Sequence, residues 1–126
     1  MKRVLIANRR QVEGCAYGNV PLISISERSD PPLKITGTDI LFCHFPDSYD
    51  PLELPDFEIT KILNFLHRHK DAEVIHVQCA AGLSRSAAVA LFCAEQYGAE
   101  VDMRGKFPNL EVVRKLRDLS GLGDWF

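Results

Sequence analysis

This chain has no CxxC pair, no histidine or cysteine spacing of the kind that holds zinc, and only four cysteines, at positions 15, 43, 79 and 93. Neither a disulfide framework nor a structural metal site is expected from that usage, and His44, His67, His69 and His76 do not supply the missing ligands. No apolar run has the length of a membrane span, and the opening MKRVLIANRR has too short an apolar core among too many charges for a secretory leader. A cytosolic location is expected. Like charges do not cluster either: 15 basic and 17 acidic residues leave a net charge of -2, which gives no reason to expect a nucleic-acid or membrane surface. A glycine-rich loop followed by lysine and serine or threonine is missing, as is the dinucleotide fingerprint, so nucleotide-loop chemistry is excluded. No internal repeat or low-complexity segment occurs.

What the chain does have is enough apolar material, 46% of 126 residues, for one core and too little length for two ordinary domains. A single domain over residues 1–126 is expected. Short apolar runs at 3–8 (RVLIAN), 21–26 (PLISIS), 39–45 (DILFCHF) and 74–78 read as strands, with Leu41, Cys43 and Phe45 on one face of the third. Residues 9–20 lack a period and read as a loop or brief helical turn, in which Cys15 is expected to be a partly buried small hydrophobe. Pro31 and Pro32 bar regular structure after the second strand.

Helical spacing begins at Asp56, expected to cap the helix, and Phe57, Ile59, Ile62, Leu63 and Leu66 form its apolar stripe. From Ser86 to Tyr97 the chain is apolar almost all round, which suits a buried helix ended by Gly98. A last helix around 109–119 carries Leu110, Val113, Leu116 and Leu119 at its spacing, and LGDWF closes the chain. Strand and helix alternating in this order predict an α/β fold, a central, largely parallel sheet flanked by helices.

The chemistry concentrates in residues 74–90, VIHVQCAAGLSRSAAVA, where a strand delivers Cys79 into a tight loop that opens a helix. Backbone amides and the positive end of a helix at that point favour thiolate over thiol and form an anion site. Ala80, Ala81, Gly82, Leu83 and Ser84 leave room for an anion against the loop amides, with Gly82 allowing a turn that other residues resist. Arg85 offers two parallel donors to two oxygens of a phosphoryl group, a match that lysine lacks. Ser86 lies within reach of the sulfur and can stabilise it as a leaving group. Such parts perform nucleophilic catalysis with oxyanion stabilisation. An acid is still needed for the departing oxygen. Asp47, which follows Pro46 directly after the third strand, is the first candidate and Asp50 the second; both would lie next to the Cys79 strand if the sheet is parallel. His76 reads as a strand or core histidine and Cys93 as helix packing.

The run QCAAGLSRS, from Gln78 to Ser86, resembles the active-site signature of cysteine-dependent protein tyrosine phosphatases, and more narrowly their compact dual-specificity-like branch. That resemblance implies a protein-tyrosine-phosphatase-like fold with Cys79 as nucleophile, Gly82 as the loop glycine, Arg85 as the phosphate-binding arginine and Ser86 as the hydroxyl that assists breakdown of a cysteinyl-phosphate. It also implies a general-acid aspartate in an upstream loop, at a separation that Asp47 and Asp50, 32 and 29 residues before Cys79, both satisfy. One position departs from the pattern: the family has histidine just before the nucleophile, where this chain has Gln78. Glutamine brings no positive charge, so a less acidic thiol and slower turnover than the family's are expected.

The function so implied is metal-independent and cofactor-independent hydrolysis of phosphate monoesters, on phosphotyrosine and on phosphoserine or phosphothreonine in proteins. Its partners would be phosphorylated proteins or small phosphoesters, met in a shallow pocket beside Tyr49. Two other readings compete. A rhodanese-type sulfurtransferase also carries a loop cysteine after a strand, and a phosphopeptide-binding module could keep the anion pocket without turnover.

Overall fold

The computed structural model describes residues 1–121, so the closing LGDWF lies outside the described residues. Five strands, β1 (Arg3–Asn8), β2 (Leu22–Ser26), β3 (Ile40–His44), β4 (Val74–Cys79) and β5 (Glu100–Val101), form one sheet in the order β3-β2-β4-β1-β5. Every pairing is parallel. β4 is held along its whole length by β1, in register from Arg3 opposite Val74 to Asn8 opposite Cys79, and along half of it by β2. The central parallel sheet expected from the alternation of elements is therefore present. β5 has only two residues, too few to give a sequence signal.

Alternation along the strands divides the sheet's faces. Val4, Ile23, Ile25, Cys43, Ile75, Val77 and Cys79 point into one continuous core with α2 (Asp56–Arg68), α3 (Arg85–Tyr97) and α4 (Leu110–Ser120). α3 is the middle of this layer, buried from Arg85 through Ala90 and again at Phe92 and Cys93, as its all-round apolar character requires. Gly98 ends it in the left-handed conformation, φ 67°, which a side chain would resist. The opposite face carries His76 and Gln78 of β4. There Tyr17 meets His76 edge to face at 5.2 Å, and the short α1 (Arg9–Val12) follows β1.

Several expected placements change. Phe57 and Leu110 are 59% and 65% exposed rather than core, because each belongs to the first turn of its helix, at the rim of the layer. Glu58 takes the inward place beside Phe57: its carboxylate accepts the His44 N–H at 3.0 Å and the Lys61 ammonium, which also reaches the Phe42 carbonyl. Asp56 does not cap α2. It is the first helical residue, after Pro55, and it pairs with Lys115 of α4 at 2.7 Å. Cys15 is exposed, its thiol donating to the Gln11 carbonyl at 3.3 Å.

The strand order sets the position of the site. The chain leaves β1 across the Tyr17 face toward β2, whereas it leaves the adjacent β4 through α3, on the other face, toward β5. Connections that part to opposite faces leave a crevice beyond the carboxyl ends of the two strands, the place where open α/β sheets bind ligands. Cys79 ends β4 at this crevice.

Candidate functional site

Cys79 is 2% exposed and sits at the mouth of the loop 80–84. Its Sγ lies 3.1 Å from the Ser86 hydroxyl and accepts the Ser86 amide at 3.4 Å. Burial alone would push the thiol up; the Ser86 hydroxyl and amide, the Gly82 amide and the Arg85 charge outweigh it and bring Cys79 below the ordinary thiol value. The other two buried thiols lack such donors, and burial pushes both Cys43 and Cys93 up to about 12. Of the three buried thiols, only Cys79 is surrounded by groups that favour its thiolate.

The loop is fixed from outside through its carbonyls. Ala80 O accepts the Arg9 amide at 3.2 Å, Gly82 O the Lys106 ammonium at 3.0 Å, Leu83 O the Phe107 amide at 2.9 Å and Ser84 O the Asn109 amide at 3.1 Å. With those acceptors occupied, the amides of Ala81, Leu83 and Ser84, which have no protein acceptor among the described residues, are left for an anion. Gly82 is required twice over: its φ is +66°, and a Cβ would lie 2.8 Å from the Asn8 nitrogen and 2.9 Å from the Ala7 carbonyl group. Ala80, Ala81 and Leu83 are exposed at the mouth.

Arg85 is almost wholly buried, and its Nη1 donates to the Phe45 carbonyl at 2.9 Å. That carbonyl sits at the end of β3, immediately before Pro46, so the segment that orients the guanidinium also begins the acidic loop. Asp47 reaches the site through its Oδ1, which accepts the Ser84 hydroxyl at 2.9 Å and the Asn109 side-chain amide at 2.8 Å. Both donors use one oxygen, and Oδ2 has no protein donor among the described residues. Asp50 is occupied elsewhere: its carboxylate caps a 3-10 turn at Pro51–Glu53 by accepting the Leu52 amide at 3.0 Å. β2 intervenes between β3 and β4, so Asp47 approaches across a strand and not from the neighbouring one.

Gln78 is buried on the face opposite the thiol, where its Oε1 accepts the Ser24 hydroxyl at 2.6 Å. It braces β4 against β2 and does not face the sulfur. His76 shares that face, and burial, with Arg3 nearby, lowers its pKa. Asn109 is the residue that sequence reasoning missed. Fully buried, it caps α4 by accepting the Glu111 and Val112 amides at 3.0 and 3.2 Å, and its Nδ2 holds both Asp47 and the Ser48 carbonyl, the latter at 2.9 Å. An asparagine before a helix signals a cap, but no local pattern signals a grip on a loop 62 residues away. Among the described residues no group of three or more His, Cys, Asp or Glu is placed to hold a metal ion, and no helix is long and apolar enough to cross a membrane.

No family model and no curated protein matches this sequence. Among solved structures, the chain is similar to human DUSP28, with a TM-score of 0.63 and 18% identity over 95% of each chain. It is also similar to the human tyrosine phosphatase-like serine/threonine/tyrosine-interacting protein, with a TM-score of 0.64 and 16% identity, covering 94% of this chain and 91% of that one. At such identities the likeness is one of fold: this chain has a protein-tyrosine-phosphatase-like α/β architecture.

Proposed function

We propose that this protein hydrolyses phosphate monoesters without a metal, through a cysteinyl-phosphate on Cys79. The observation that carries the reading is the meeting of a thiolate-favouring Cys79–Ser86 pair with a carboxylate, Asp47, bound to the end of the same loop through Ser84. Phosphorus lies over Sγ, with its equatorial oxygens on the loop amides and the Arg85 guanidinium. The thiolate attacks in line, the P–O ester bond breaks, and Asp47 gives its proton to the departing oxygen. Water, deprotonated by the same carboxylate, then displaces Cys79 and releases inorganic phosphate, while the Ser86 hydroxyl donates to the leaving thiolate. The open mouth, with Tyr49 68% exposed beside Asp47, suits phosphotyrosine and also phosphoserine or phosphothreonine side chains. The fold likeness supports this assignment at the level of the broad phosphatase superfamily.

Hydrolysis of p-nitrophenyl phosphate in EDTA between pH 5 and 8 tests it. Cys79→Ser is expected to fall to background. Asp47→Asn is expected to lose about 10²-fold or more on phenyl phosphate, whose poor leaving group needs the acid, and less on the nitrophenyl ester. A folded wild type without turnover would overturn the hydrolytic reading and leave phosphopeptide binding in the same anion loop.

A further inference from the structure

The crevice between the ends of β1 and β4 opens into a cavity of about 900 Å³ that hydrolysis of a simple monoester does not use. One wall is the site loop itself at Ala80 and Ala81; the remainder runs from Asn8 at the end of β1 through α1 to Glu13, with Pro31, Pro32 and Lys34 opposite. Its volume is within the range of roughly 300–1,000 Å³ typical of small-molecule sites. Arg9 ties the walls together, its amide on the Ala80 carbonyl and its Nη2 on the Pro31 carbonyl at 2.5 Å.

Three basic residues, Arg9, Arg10 and Lys34, line this cavity against a single acid, Glu13. Lys2, Lys61, Arg104, Arg114, Lys115 and Arg117 all pair with acids. Arg10 and Lys34, both exposed at the cavity, face no carboxylate at ion-pair distance among the described residues, and the Arg9 guanidinium is held by a carbonyl. Glu13, the one acid in the lining, accepts the Lys34 amide at 3.3 Å. Positive charge is therefore gathered on the side of the loop away from Asp47, in a protein whose net charge is -2.

We infer that this cavity is a subsite for a second phosphoryl group, and that the preferred substrates are small esters bearing two phosphates. One phosphate lies over Cys79 and the other between Arg10 and Lys34, with the carbon skeleton against Pro31, Pro32 and the two alanines. The first placement rests on the phosphatase reading; the second rests on the cavity alone. Arginine supplies a fork matched to phosphate oxygens and lysine a mobile point charge. Pro31, Pro32 and the two alanines offer apolar contact to the short carbon skeleton of such a molecule.

Binding to the Cys79→Ser protein separates the two readings, since it needs no turnover. Titration calorimetry is expected to show fructose 1,6-bisphosphate binding about tenfold tighter than fructose 6-phosphate at low salt, a preference that shrinks as ionic strength rises. The double variant Arg10→Glu/Lys34→Glu in that background is expected to lose the preference, whereas Lys70→Glu, an exposed charge change just beyond the C-terminal end of α2, keeps it. Equal affinities for the two sugars, or a preference indifferent to Arg10 and Lys34, would overturn the subsite. A doubly phosphorylated peptide binding more tightly than the bisphosphate through the same two cations would overturn the assignment to small esters. If the bisphosphate preference holds while the wild type hydrolyses nothing, the subsite stands and the hydrolytic reading falls.

Discussion

Cys79 and Ser86 are seven residues apart, yet one sulfur receives both the hydroxyl and the amide of the serine, because the loop turns back on itself at Gly82. This is a local geometry, and for that reason it was legible: the thiol, the small residues, the arginine and the serine lie in one short run. Sequence ranked Asp47 ahead of Asp50 by its place after Pro46, but both stand in the same loop, and the partners that distinguish them, Ser84 for Asp47 and Leu52 for Asp50, come only with folding. The lowered thiol has a measurable consequence. Alkylation of Cys79 by iodoacetamide, followed by peptide mass spectrometry, is expected to reach its plateau at a pH below that of an ordinary thiol, and Ser86→Ala to move the profile upward; Cys43 and Cys93 stay unmodified in the folded protein. A group whose folded pKa is depressed stabilises the fold above its unfolded value, and that contribution is lost as pH falls through the folded one.

Among elements, the start of α4 does the most to assemble the site. Asn109 holds the helix, the acidic loop and, through its backbone, the nucleophile loop. The helix could be read from its spacing, but its buried side is Val112, Val113 and Leu116, with Leu110 left at the surface beside the loop. Asn109 is a positioning residue, and its two tasks can be parted. Asn109→Ala is expected to cost about 1–2 kcal/mol of stability by chemical denaturation, as lost caps do. Asn109→Ser restores a cap but is too short to hold Asp47, so stability recovers while activity on phenyl phosphate falls further than on p-nitrophenyl phosphate. A serine variant with wild-type rates on both esters would remove Asn109 from the positioning of the acid.

For the molecule as a whole, the parallel sheet and its helical layer were legible because strands and helices alternate with clear periods; strand order was not, since it depends on which crossovers the chain takes. That order leaves β3 at an edge, where unpaired backbone groups invite another chain. Glu58 and Lys61 cover it, one on the His44 N–H and the other on the Phe42 carbonyl. Glu58→Ala is expected to lower stability by about 2 kcal/mol and to raise the fraction of aggregate in light scattering, because a charged acceptor is lost from a half-buried edge. Unchanged melting and scattering would show that the edge needs no such cover.

The position of β4 between β1 and β2 also sets how the site breathes. A strand paired on both sides belongs to the part of a protein whose amides exchange with solvent only when the whole molecule opens, whereas exposed loops open at far smaller cost. Cys79 is anchored to the first kind of segment and Asp47 to the second. The Cys79 thiol keeps its place for as long as the protein is folded, whereas the Asp47 carboxylate keeps its place only while Ser84 and Asn109 hold its loop.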